Sequence, residues 1–281
     1  PVIMNRMIES AQDPKAAAKM LTTLTESLHE KDILLTVNDA SVQSIFSKQG
    51  WTGEIASAQT DNGPQDYLYV NHANIAGGKT DQVIEETIEH SADIAADGSI
   101  TDTVKITRVH KGDPSNALEN VKNNSYTRIY IPKGSELLSA TGFEVPPAKS
   151  FFTPDEDATA DEDLQRISGE SLFNEQLNIS TNTEYEKSVI GGWMITDVGE
   201  SSTVTLTYRL PFKVTMGKWF HPTDQYELFV QKQPGLRDPY VVSSVHVPDN
   251  FTASAWYPED VSADNNHALT VVLSDDMTRG V

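Results

Sequence analysis

The sequence predicts an α+β fold that is predominantly β, with a small α/β unit at residues 1–80 followed by an antiparallel β-sandwich at residues 81–281. Three observations support this prediction. Apolar residues recur at helical spacing near the N-terminus, the spacing changes to every second residue from Asp81 onward, and turn residues then separate many short apolar runs. Many short strands with this punctuation favour a sandwich over alternating helices and strands.

The N-terminal unit is predicted to contain helices and short strands. Residues 2–30 carry an apolar stripe at helical spacing, and Asp13-Pro14 restarts the helix with Asp as its cap and Pro at its first position. Residues 40–48 predict a second helix that ends at Gly50. The strands of this unit are expected at residues 33–37 and 67–70.

A long β-hairpin is predicted directly after this unit. The residues expected on one of its faces are Ile84, Ile88, Ala92 and Ile94. Asp97-Gly98 supplies the turn, because both residues tolerate the positive φ that tight hairpin turns require. A return strand begins at Ile100, and His90 and His110 are candidates for a pair across the hairpin.

Further strands follow at regular intervals and indicate an immunoglobulin-like sandwich. Pro, Gly and Asn-rich turns separate them, and a polar, acidic loop is expected at about residues 148–170. The strands are predicted at residues 126–131, 136–139, 172–179, 187–195, 202–210, 226–231, 241–247 and 269–273.

The chain is strongly acidic, with a formal net charge of −20. Residues 151–200 hold 12 acidic and 2 basic residues, so half of that charge lies in this segment. Nucleic-acid binding and binding to anionic lipid are both disfavoured, because each requires a basic surface. No apolar run is long enough to span a bilayer, so direct membrane insertion by this chain is not expected.

Catalytic signatures are not recognisable in the sequence. The chain has no cysteine, which excludes thiol nucleophiles and disulfides, and its seven histidines lack the spacing of a zinc motif. Gly77-Gly78-Lys79-Thr80 resembles a phosphate loop, but the first glycine is missing and a strand follows, so a connection between domains is the better interpretation. We therefore expect no catalytic or cofactor-binding residues, although enzymatic activity stays open.

The densest acidic segment offers candidate calcium ligands. Asp155, Asp157, Asp161 and Asp163 alternate in a polar loop, as calcium-binding carboxylates can. The glycine and terminal glutamate of an EF-hand are absent, so a solvated loop is the alternative.

Arginine and tryptophan residues in the predicted strands have ordinary structural interpretations. Arg128 and Arg209 are expected to pair with acidic neighbours, given the excess of acidic residues. The tryptophans favour core packing over a carbohydrate-binding platform, and they are Trp51, Trp193, Trp219 and Trp256.

Several short strings occur together in a characteristic order. They are Gly50-Trp51-Thr52-Gly53, Gly78-Lys79-Thr80-Asp81, Tyr126 to Ser135, Tyr208-Arg209-Leu210-Pro211 and Gln231-Lys232-Gln233-Pro234-Gly235. In this order, over residues 20–245, the chain resembles the C-terminal half of the bacterial domain-of-unknown-function family 4012. The resemblance implies an outward-facing envelope protein tethered to the membrane through an upstream segment that this chain lacks.

The expected function is a non-catalytic, extracytoplasmic structural or interaction module that contacts protein or glycan at the cell surface. Two alternatives stay open: an accessory domain of an enzyme that modifies or attaches cell-wall glycopolymers, implied by the fuller architecture of the family, and a calcium-stabilised adhesin.

Overall fold

The structure of the protein is a computed structural model. It describes residues 12–60, 63–75, 78, 80–151, 155, 157–159, 161–215, 225–248, 257–258 and 268–281.

The chain divides into two compact units. The first comprises residues 1–55 and 233–235, and the second comprises residues 56–232 and 236–281. The structure thus places the division near residue 55, whereas the sequence analysis placed it at residue 80.

The first unit contains two described α-helices, α1 (Pro14–His29) and α2 (Ala40–Lys48). Asp13 caps α1 by accepting a hydrogen bond from the Lys15 backbone, with Pro14 at the first turn, as predicted. Asp39 caps α2 in the same way, and Gly50 follows that helix with a φ of 72°. Residues 33–37 are irregular rather than a strand, and Leu35 N–H donates to the Trp51 carbonyl.

The second unit contains the described β-strands and one short helix, α3 (Glu162–Ser168). The strands are β1 (Gln59–Thr60), β2 (Gly63–Pro64), β3 (Asp66–Asn74), β4 (Ile84–Ile94), β5 (Ser99–His110), β6 (Asn123–Pro132), β7 (Glu136–Thr141), β8 (Leu172–Asn174), β9 (Ile179–Glu184), β10 (Lys187–Thr196), β11 (Ser201–Lys213), β12 (Glu227–Gln231), β13 (Tyr240–His246), β14 (Leu269–Val272) and β15 (Met277–Gly280).

Two large sheets pack face to face in this unit, which confirms the predicted β-sandwich. One has the order β15-β12-β3-β6-β10-β9-β8, and the other has the order β14-β13-β4-β5-β11-β7. Most neighbours are antiparallel, but β12 pairs with β3 and β13 pairs with β4 in parallel. The sheets are therefore mixed, which corrects the expectation of a purely antiparallel sandwich.

The predicted hairpin is confirmed as β4 and β5. Ile84, Ile88, Ala92 and Ile94 are buried on one face. The predicted tight turn with positive φ at both Asp97 and Gly98 is wrong, because the Gly98 N–H donates to the Ala95 carbonyl and, of the two residues, Gly98 alone has a positive φ, 80°. The predicted pairing of His90 with His110 is wrong. Ile94 lies opposite Ile100, and this register puts Val104 opposite His90 and Ile84 opposite His110.

Strand β3 explains why the boundary between the units differs from the prediction. Its residues Tyr67, Leu68, Tyr69 and Val70 are all buried, so the strand shows no alternation of apolar and polar residues. A strand covered on both faces has this continuous apolar pattern. β3 pairs with β6 and β12, so it lies in the middle of the seven-stranded sheet.

Candidate functional site

Ionisable side chains occupy inward positions of the β4–β5 hairpin. The inward face of β4 continues the apolar row but also carries Glu86 and His90, which are 4% and 2% exposed. On β5, the same face carries Asp102 and Arg108, both fully buried. Burying a charge is costly unless it is paired or bound, so each of these side chains requires a partner.

Three of the buried side chains converge between the two sheets. Asp66 comes from β3 of the seven-stranded sheet, whereas His90 and Asp102 come from β4 and β5 of the six-stranded sheet. His90 Nε2 lies 3.5 Å from Asp66 Oδ2 and 3.8 Å from Asp102 Oδ1. We call Asp66, His90 and Asp102 the inter-sheet triad. Among the residues that the structure describes, this is the one group of three or more whose ligand atoms could hold a metal ion.

Hydrogen bonds fix two members of the triad. Asp66 Oδ1 accepts from the Tyr67 backbone N–H at 2.7 Å, and Asp66 Oδ2 accepts from the Tyr226 hydroxyl at 2.5 Å. His90 Nδ1 is 3.2 Å from the Ser243 hydroxyl, which also accepts from Arg279 at 3.0 Å. These contacts orient the His90 ring so that its Nε2 points at the two carboxyl groups.

Asp102 has a different environment. Within the described part of the chain, no N–H or hydroxyl donor reaches either of its carboxyl oxygens, and its hydrogen-bonding contact is with the Asp66 carboxyl. Its neighbour across the ladder is Tyr208, whose hydroxyl is also buried without a described partner. Burial raises the pKa of Asp102 well above its ordinary value, and the nearby Asp66 carboxylate raises it further. Burial likewise raises the pKa of Tyr208, as do the charges of Asp102 and Asp66.

A second group of buried side chains lies at the other end of β4. His72 Nε2 is 2.5 Å from Glu86 Oε2, and Arg108 Nε is 3.4 Å from the same oxygen. Arg108 also contacts Asp81 at 3.2 Å and donates to Asn123 at 2.8 Å. We call these five residues the ion-pair cluster. Like the triad, it joins the sheets, since His72 and Asn123 lie on β3 and β6 while Glu86 and Arg108 lie on β4 and β5.

The protonation states in this cluster follow from burial and charge. Burial lowers the pKa of His72 despite the opposing effect of the Glu86 charge. Burial alone would raise the pKa of Glu86. The effects of His72 and Arg108 are larger than that of burial, so the pKa of Glu86 is lowered. With His72 neutral and donating from Nε2, this hydrogen bond and the charge of Arg108 favour an ionised Glu86. The Nδ1 of His72 then accepts from the Ser125 or Thr127 hydroxyl, at 3.1 and 3.0 Å.

The residues predicted from the sequence as calcium ligands lie on the surface and not in a buried cluster of charged groups. Asp155, Asp157, Asp161 and Asp163 are all exposed. Asp161 caps α3 by accepting from the backbone of Asp163 and Leu164, and Asp163 pairs with Arg166 at 2.8 Å.

The predictions for the arginines are confirmed, whereas several of those for the tryptophans and the glycine-rich segment concern residues outside the described part of the chain. Arg128 pairs with Glu184 and Arg209 with Glu136, as expected. Trp193 is half-buried and packs edge-to-face against Tyr126 and Phe151, whereas Trp219 and Trp256 lie outside the described residues. Most of Gly77-Gly78-Lys79 also lies outside them, and a short 3₁₀ turn and then β4 follow.

A groove lies at one edge of the sandwich. It has a volume of about 460 Å³ and lies beside β7, β8, β9 and β10. Ile131 and Val189 are among its buried apolar residues, and Ser135, Thr181 and Thr183 contribute hydroxyl groups. We call it the sheet-edge groove.

The inward positions of the buried ionisable residues on β4 and β5 also follow from a pattern in the sequence. The alternation that places Ile84 and Ile88 inward on β4 also places Glu86 and His90 inward. On β5, the alternation of the apolar residues Ile100, Val104 and Ile106 places Asp102 and Arg108 inward in the same way. Asp66 could not be found in this way because β3 does not alternate.

A scan against protein-family models finds no match, and a search of curated proteins finds no significant match. The resemblance to family 4012 therefore stays a prediction. Among the described residues, no helix is long and apolar enough to cross a membrane.

Proposed function

We propose that this chain is a non-catalytic, extracytoplasmic interaction module of a bacterial cell-envelope protein, and that it binds an uncharged glycan in the sheet-edge groove. The envelope location rests on the ordered strings that resemble family 4012. The non-catalytic role rests on where the ionisable side chains lie.

The observation that carries the proposal is the inaccessibility of the reactive groups. Asp66, Asp102 and Arg108 have no exposed surface, and Glu86 and His90 are nearly as buried. A general acid or base must come within hydrogen-bonding reach of its substrate. Side chains enclosed between two sheets cannot do so, and their pairing with each other is a structural role.

The sheet-edge groove, in contrast, is open to a ligand. Its apolar floor and its hydroxyl groups suit a sugar, which presents both apolar faces and hydroxyls. Glu170 is its charged lining residue, and the segment 151–200 that contributes much of the groove has a net charge of −10. An anionic polymer would be repelled by that charge, which favours an uncharged glycan.

Binding to isolated cell walls tests the glycan proposal. We expect the purified chain to sediment with walls stripped of anionic polymers, and Leu172→Glu at the mouth of the groove to weaken binding by about tenfold. Leu118→Glu is the matched control, since Leu118 is 70% exposed and Leu172 is 68% exposed, but Leu118 does not line the groove. Equal binding by the two variants, or no binding by the wild type, would contradict the proposal.

Protease treatment of intact cells tests the location. The chain, tagged in its native reading frame, should be degraded by added protease, while a cytoplasmic marker stays intact. Protection of both proteins would contradict an extracytoplasmic location.

An accessory role in glycopolymer attachment is the second candidate, favoured by the same hydroxyl-lined groove. It predicts that Leu172→Glu lowers the amount of polymer attached to the wall in cells. Unchanged attachment, with the glycan-binding defect present in vitro, would leave the first proposal standing and reject the second.

A further inference from the structure

The spacing of the inter-sheet triad does not fit hydrogen bonding from His90. A direct N–H···O bond brings nitrogen and oxygen to about 2.9–3.0 Å. His90 Nε2 lies 3.5 Å from Asp66 Oδ2 and 3.8 Å from Asp102 Oδ1, beyond that range for both carboxyls. Ligand atoms at about 2.0–2.2 Å from a tetrahedral ion are themselves roughly 3.3–3.6 Å apart. The observed separations are close to this second value.

The buried polar atoms around the triad are a second indication that an ion binds there. Both Asp102 oxygens, His90 Nε2 and the Tyr208 hydroxyl are buried, and within the described ranges none of them pairs with an N–H or hydroxyl group; Asp102 instead contacts the Asp66 carboxyl, so the two acidic groups need a cation or a proton between them. Buried polar atoms are almost always satisfied in native proteins. Asp102 and Tyr208 face each other across β5 and β11, so the unsatisfied atoms lie together rather than scattered.

We propose that Asp66, His90 and Asp102 bind one divalent transition-metal ion of the zinc type, which links the two sheets of the sandwich. This site is independent of the proposed glycan-binding function, because its residues do not line the sheet-edge groove.

The donor set selects the class of ion. One imidazole nitrogen and two carboxylates are ligands that zinc and its first-row neighbours accept. Calcium requires six to eight oxygen ligands, which this enclosed site does not offer. The site is built rather than incidental, since Tyr67 and Tyr226 hold Asp66 and Ser243 holds the far nitrogen of His90. Such outer contacts orient metal ligands in known sites.

The role of the ion is structural. It is inaccessible to a substrate, and its ligands come from β3 on one sheet and from β4 and β5 on the other. The chain has no cysteine, so no disulfide can join the sheets. Because the site forms only in the folded chain, the binding free energy of the metal adds to the stability of the fold.

The site must be loaded during folding, because its ligands are fully buried. The chain would be unfolded in guanidinium with chelator and refolded with Co²⁺ or Zn²⁺. We expect about one ion per folded chain, a visible d–d absorption typical of tetrahedral cobalt, and an unfolding midpoint raised by roughly 5–10 °C at a hundredfold excess of metal over its dissociation constant. A folded wild type without bound metal and without this absorption would overturn the proposal, whatever the variants show.

Amide variants locate the ion. Asp102→Asn should abolish stoichiometric cobalt binding and the metal-dependent shift in midpoint, and Glu89→Gln should retain both. Glu89 is the matched control because it lies on the outward face of β4, paired with Lys105 on the surface. If Asp102→Asn does not fold, His90→Gln takes its place. Metal binding by either variant at the wild-type level would place the ion elsewhere and overturn the assignment.

Discussion

Glu86 and Arg108 lie directly opposite each other in the β4–β5 hairpin, with Arg108 Nε 3.4 Å from Glu86 Oε2 and both side chains buried. The same two strands carry a second cross-strand pair, Glu89 and Lys105, on the outward face. The two pairs lie on the same strands but differ in access to water and in further contacts, because Arg108 also contacts Asp81 and Asn123. Comparing them therefore measures the effect of burying an ion pair within a network of polar groups.

Arg108→Met should lower the free energy of unfolding by about 3–5 kcal/mol, because it leaves Glu86 buried without its positive neighbour. Lys105→Met should lower it by less than about 1 kcal/mol, because water screens the exposed pair. Denaturant unfolding of both variants measures the difference. Similar losses at the two positions would contradict the assigned role of burial.

Acidification should destabilise the protein through the ion-pair cluster. The pKa of His72 is lowered from 6.5 in the folded state, so below about 6.5 the unfolded chain takes up a proton that the folded chain does not. The pKa of Glu86 is lowered from 4.5, so a second loss of stability begins below about 4.5. Both contributions are fully present at neutral pH.

The histidine contribution can be isolated with His72→Gln. Between pH 5 and 6.5 the free energy of unfolding of this variant should depend less steeply on pH than that of the wild type, by up to about 1.4 kcal/mol per pH unit. Urea unfolding at several pH values measures the slope. An identical slope in both proteins would show that His72 is not kept neutral by folding.

Two turn glycines should respond differently to substitution. Gly98 and Gly199 both have positive φ, 80° and 78°, so alanine costs about 1–2 kcal/mol at either from backbone strain. A Cβ at Gly98 would also collide with the Val214 carbonyl, whereas a Cβ at Gly199 has no neighbour within 4 Å. Gly98→Ala should therefore lower the thermal midpoint several degrees more than Gly199→Ala, and equal shifts would contradict this.

Calcium should not stabilise the chain through the acidic segment. Asp161 already caps α3 and Asp163 already pairs with Arg166, and both side chains are exposed. We expect millimolar calcium and magnesium to give the same thermal midpoint. A calcium-specific rise that disappears in Asp161→Asn would instead support the adhesin alternative.

The sequence predicted most strands of the sandwich because they follow local rules. The β4–β5 hairpin has strict alternation and a turn that ends at Gly98, and both features depend on residues close together in the sequence. The predicted strand over residues 172–179 was less accurate, because only β8 and the first residue of β9 fall in it, with a turn at residues 175–178 between them. Helix α3 lies where a loop was expected, since its apolar residues Leu164 and Ile167 are exposed and form no stripe against the core.

The β-rich class, the hairpin with its inward-facing residues, the helix caps and the absence of thiol chemistry all follow from the sequence. Alternation along a strand, helix capping and composition depend only on residues close together in the sequence, so they can be recognised from the sequence alone. The packing of the two sheets, in contrast, places β3 within the sandwich and brings Asp66 close to His90 and Asp102. This proximity depends on the relative position of two sheets, which is set by packing between residues distant in sequence, and no local pattern encodes it.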